Sequence, residues 1–136
     1  MAEPHGHVTN VIVCEDVRQE LNNQNTLVGV FAGDILVKEF PGPMRIAVYA
    51  EYVIAKPAAH DVGFRISYQG EGRHEIMNMR VKVPDSARDG IAFAFPPANL
   101  MITERGSLIV EVNYDGDERW IELIAKRVEK VAMPAR

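Results

Sequence analysis

Ser107-Leu108-Ile109-Val110-Glu111-Val112-Asn113-Tyr114-Asp115-Gly116-Asp117-Glu118-Arg119-Trp120-Ile121-Glu122-Leu123-Ile124-Ala125 decides the fold. Two runs of branched apolar residues flank an Asp-Gly dipeptide, the commonest signature of a type I′ turn between antiparallel strands. With Asp115 and Gly116 as the loop residues, Tyr114 faces Asp117, Val112 faces Arg119, Val110 faces Ile121 and Leu108 faces Leu123. The apolar residues then share one face. A slip of one residue would set Val110 against Glu122 and bury a carboxylate, so hydrophobic pattern and turn chemistry agree on the side-chain parity. The same parity puts Trp120 on the other face opposite Glu111, in company with Ile109, Glu122 and Ile124.

Outward from this hairpin the same period of two recurs between clusters of Gly, Pro, Asn and Asp. It predicts strands at Val8 to Val17, Thr26 to Val37, Met44 to Ile54, Val62 to Tyr68, Arg73 to Val83, Gly90 to Phe95, Ser107 to Tyr114 and Glu118 to Val128. Val62, Phe64, Ile66 and Tyr68 alternate with Gly63, Arg65 and Ser67, and Met77, Met79, Val81 and Val83 alternate with Asn78, Arg80 and Lys82, as half-buried strands require. Gln69-Gly70-Glu71-Gly72 joins those two segments as a second hairpin, because glycine supplies the positive φ of a tight reversal. Pro41-Gly42-Pro43, Lys56-Pro57, Val83-Pro84-Asp85 and Pro96-Pro97 remove ladder donors and are placed between strands. Glu15 to Asn25 can hold a short helical turn, and the tail after Val128 is expected to fray. About eight strands with turns between them predict an all-β, antiparallel β-sandwich, one domain over 1-136.

With 136 residues the chain is long enough to bury about two-thirds of its unfolded surface without staples. One cysteine, Cys14, cannot form an internal bridge, and the start Met-Ala-Glu-Pro-His-Gly-His is unlike a secretory signal, so a cytoplasmic setting is expected. No apolar run approaches a membrane span. A net charge of −4 argues against nonspecific nucleic-acid binding, which depends on Lys and Arg at phosphates. The small basic bias of Lys126, Arg127, Lys130 and Arg136 is broken by Glu129 and reads as a solvated strand end.

Cys14-Glu15-Asp16-Val17-Arg18, followed by Glu20 and Asn22, Thr26-Leu27, Gly29-Val30-Phe31 and Phe40-Pro41, resembles the opening of a family of small uncharacterised bacterial proteins of about this length. The likeness covers the first third of the chain. It implies a stand-alone bacterial domain and brings no catalytic or binding residue with it.

Chemical motifs are weak. His5 and His7 could hold Cu or Ni loosely, but their spacing is unspecific, and His60 and His74 lack partners at zinc-site spacing and are expected to face solvent. Asp34, Asp61, Asp85, Asp89, Asp115 and Asp117 could imitate a calcium cup at one end of a sandwich, although their contexts are ordinary turn compositions. Cys14 lies in an alternating apolar run as a small buried hydrophobe, and Ser86 and Ser107 lack the glycine elbow of a nucleophile. No catalytic residue, metal or cofactor is therefore expected.

What remains is Trp120. Aromatic residues on a mixed apolar and charged face are enriched at interfaces, which marks Ile109, Glu111, Trp120, Glu122 and Ile124 as an interaction surface. The expected function is a non-enzymatic module that binds a protein partner or a second copy of itself. The alternative is a module binding a ligand or metal ion with loops at one end, and an enzyme with a dispersed site comes third.

Overall fold

The computed structural model describes residues 5–114 and 117–132, which form two packed β-sheets. In the first, β1 (Gly6–Gln19) pairs with β2 (Asn25–Val30) and with β4 (Gly42–Ile54), while β7 (Gly90–Ala94) and β8 (Ala98–Ile102) run in succession along β4. The second has the order β3 (Ile35–Val37), β10 (Ile121–Lys130), β9 (Gly106–Tyr114), β5 (His60–Gln69), β6 (Arg73–Val83). The all-β sandwich expected from the periodicity is the observed fold. Among the described residues it has ten strands rather than eight, and β3 pairs with β10 in parallel, so the second sheet is mixed.

Alternation builds the core. Met44, Ile46, Val48, Ala50, Tyr52 and Ile54 point inward from β4, and Val62, Phe64, Ile66 and Tyr68 do so from β5. Each fully buried aliphatic side chain contributes roughly 1.5–3 kcal/mol. Phe64 meets Phe93 and Phe95 across the sheets at centroid distances of 5.4 and 5.0 Å. Two polar ties also cross the gap: Val8 N donates to Tyr114 Oη at 2.9 Å, and Tyr52 Oη lies 2.8 Å from His60 Nε2.

Several boundaries move for identifiable reasons. Thr26 to Val37 is not one strand: the chain leaves the first sheet after Val30 and joins the second at Ile35. Pro96-Pro97 interrupts the chain facing β4. From Tyr49↔Ala94 to Ile46↔Ala98 β4 advances three residues and its partner four, so a bulge absorbs the prolines and β8 follows. The helical turn is a single 3-10 turn, Leu21–Asn23, with Asn22 at φ 65, whereas Glu15 to Gln19 belong to β1. At the other end β10 continues past Val128 to Lys130, and Val131 N donates to Val37 O at 2.8 Å. Among the described residues no helix is long and apolar enough to cross a membrane.

The Ser107 to Ala125 hairpin exists with a different register. Asp117 N donates to Tyr114 O at 3.0 Å, yet the ladder resumes only at Ile121, opposite Val112 rather than Val110. That two-residue displacement preserves parity. A bulge between Glu122 and Ile124 then reverses it, setting Ile124 opposite Val110 and Lys126 opposite Leu108. The cause is Asn113, whose Nδ2 donates to the carbonyls of Asp117 and Arg119 and holds that segment out of the ladder. The turn expected at Asp115-Gly116 lies outside the described residues.

Candidate binding surface

Cross-strand pairing arranges the outer face of the second sheet in rows. Arg80, Gly63 and Asn113 form one row, Asn78, Arg65, Glu111 and Glu122 the next, and Glu75, Ser67, Ile109 and Ala125 a third. Glu111 and Asn113 are polar, yet only 7% and 2% exposed. Burying such groups is tolerable only when they are hydrogen-bonded, and here long side chains from neighbouring strands do both the covering and the bonding.

Glu111 takes two guanidiniums on one oxygen: Arg65 Nε donates to Oε1 at 3.0 Å, and Arg73 Nη2 donates to the same atom. Arg73 belongs to the row beyond Ser67, so its side chain reaches across that row to do this. Removing one partner of such a network typically costs about 1–3 kcal/mol when the cations remain partly wet, as these do. In the next row Arg80 Nη2 donates to Asn113 Oδ1 at 3.0 Å.

Trp120 closes the layer from the 117–120 segment. Its ring lies under Arg65, with Cζ 4.3 Å from the ring centroid, a contact worth about 0.5–1 kcal/mol at a surface. It can lie flat because Gly63 is beneath it: a Cβ there would stand 3.3 Å from Trp120 Cη2 and 3.0 Å from Arg80 Nη2. Arg119 N donates to Asp117 Oδ1 at 3.0 Å, which steadies the segment and holds the exposed Asp117 carboxyl below its usual range. Ser67 and Ala125 are small for their row. Over Ser67 lies a hollow of about 310 Å³ lined by Arg65, Ser67, Arg73 and Glu75.

The five residues expected to share a surface are placed unevenly. Ile109, Glu111 and Glu122 share the outer face, and the half-buried Trp120 covers the neighbouring Gly63. Ile124 does not join them, because the bulge turns it toward the core cluster. Ile109 and Glu111 are covered, leaving Trp120, Glu122 and the arginines as accessible groups of the layer. Sequence reasoning had passed over Gly63, Arg65, Ser67, Arg73, Arg80 and Asn113. The available signal was the hairpin at Gln69 to Gly72, which brings three arginines to one face of two adjacent strands.

The other candidates resolve differently. His60 is not a free solvent-facing residue: it bonds Tyr52 Oη, its Nδ1 lies 2.6 Å from Ala58 O, and His5 stacks on it at 4.7 Å. His7 is exposed on β1 opposite Val53, apart from that stack, and His74 is exposed at the start of β6. Asp34 is paired with Arg127 at 3.0 Å, and Asp115 lies outside the described residues. Among the described residues no group of three or more His, Cys, Asp or Glu is placed to hold a metal ion. Cys14 is fully buried, on the outer side of the first sheet opposite Ala47 and Val30; burial raises its thiol pKa, partly offset by backbone hydrogen bonding at Asp16.

In comparison with known proteins, the chain matches no family model and no curated protein is significantly similar to it.

Proposed function

We propose that this chain is a non-enzymatic, cytoplasmic protein-binding module whose working surface is the outer face of the second sheet around Trp120. The observation that carries the reading is the ordered layer of Arg65, Arg73, Arg80 and Trp120, held in place by buried Glu111, buried Asn113 and Gly63. Trp and Arg dominate the binding energy of protein interfaces, and fixing their positions beforehand lowers the entropy lost on association. The lone cysteine is a buried free thiol, which suits a reducing compartment. The partner is another protein or a second copy of this chain. Selection of peptides from a random library against the purified protein tests the reading. Enriched peptides are expected to lose at least about tenfold in affinity on Trp120→Ala, the effect of deleting an aromatic anchor. Peptides that bind the Trp120→Ala protein equally well, with its fold verified, would place the working surface elsewhere.

A further inference from the structure

We infer that the hollow over Ser67 is a carboxylate site that receives an Asp or Glu side chain of the bound partner, an inference that rests on the protein-binding reading above. Three observations converge there. Ser67 is 1% exposed and its side chain lines the hollow. Arg65 and Arg73 form two walls, and among the described residues each spends one N–H on Glu111. A guanidinium has five donors in a fixed planar fork, so most remain for an incoming acceptor. Glu111 fixes both forks in advance, and the fork geometry matches two carboxylate oxygens.

The charge of the layer selects among oxyanions. Arg65, Arg73 and Arg80 face Glu75, Glu111 and Glu122, so the layer is close to neutral and tolerates little added negative charge. A carboxylate brings one negative charge beside Glu75 in the wall, whereas a phosphate dianion brings two and is repelled more strongly. The volume, about 310 Å³, admits a side chain or a short peptide segment rather than a large cofactor.

The test is an NMR titration of the intact protein with the blocked tripeptide acetyl-Gly-Glu-Gly-amide, following the side-chain Nε–Hε signals of Arg65 and Arg73 and the Ser67 amide. These three signals are expected to move together with a dissociation constant on the order of 1–10 mM, as a single carboxylate on an open site implies. The Gln tripeptide should leave them in place. Ser67→Ala is expected to weaken binding by at least about tenfold, the loss of one hydrogen bond to a charged group. Glu75→Gln alters an exposed residue and should tighten it by at least about threefold, through removal of a like charge. Equal shifts with the Gln tripeptide, silence at about 100 mM, no gain from Glu75→Gln, or tighter binding of inorganic phosphate would each overturn the carboxylate assignment. The two readings fail separately. Selected peptides that dock at Trp120 without an acidic residue would remove the carboxylate site alone. A Glu tripeptide bound at Ser67, with no selected peptide dependent on Trp120, would remove the protein-binding reading alone.

Discussion

At the scale of single residues, the fold raises the pKa of three phenols and one thiol. Tyr114 is half-buried and takes the Val8 N–H on its oxygen; burial pushes its pKa above the ordinary 10.0, with a smaller opposing effect from that bond. Tyr68 is raised by burial and then by the charges of Glu104 and Glu129, and Tyr49 by burial and then by Glu51. Cys14 moves up from 9.0 for the same leading reason. In all four the folded pKa lies above the unfolded one, so the unfolded chain gives up its protons first as pH rises. Their contribution is fully present below about pH 9, where the unfolded thiol begins to titrate, and is lost as pH climbs through the folded values. Urea midpoints at about pH 7 and about pH 10.5 should therefore fall toward alkali, and a midpoint that holds or rises would contradict this linkage. Residue-level reading of the sequence singled out Trp120 and Glu111, though Glu122 rather than Trp120 stands opposite Glu111, and it did not single out the arginines. An Arg alternating with core residues looks like any solvated position until the strand beside it is known. What makes these arginines a layer is their convergence on Glu111 and Asn113, and strand pairing alone supplies that.

At the scale of elements, the most informative feature is the β9–β10 hairpin. Its apolar pattern was legible and located both strands. The position of Trp120 was misread in detail because the side chain of Asn113 competes with the ladder for the carbonyls of Asp117 and Arg119. A side-chain amide acting as a surrogate backbone donor leaves no mark in a hydrophobic pattern. The bulge after Glu122 is equally silent, and it alone turns Ile124 inward. Pro96-Pro97 was legible as a breaker, but not as a bulge in a strand that resumes at Ala98. The Asn113 account predicts that Asn113→Ala destabilises the protein by about 1–3 kcal/mol, the cost of a broken buried hydrogen-bond set. It should also raise hydrogen exchange at Asp117 and Arg119 more than at the β5–β9 ladder. Uniform acceleration across the sheet, or no change at 117–120, would show that another group holds the segment.

At the scale of the whole molecule, the two outer faces differ in kind. The first sheet presents a plain mixture that includes Val30, Val53 and Met101, and nothing in the structure shows what covers it. The second presents an organised layer whose supports are buried and whose cations remain partly exposed. Net charge is −4 over the chain, so cations fixed together on one face stand out against an acidic background. Such a pattern biases encounter toward acidic partners and is sensitive to salt. The alternating pattern of the strands made the two-layer fold readable from sequence. It could not show which layer works, because function resides in a site and many activities share this architecture. Trp120 is the one tryptophan of the chain, so its fluorescence reports on that surface without labelling. The most direct test is its emission during titration with an enriched library peptide. The account predicts a saturable change in emission that disappears on Arg73→Gln or at high salt; saturable binding that leaves Trp120 emission untouched would contradict it.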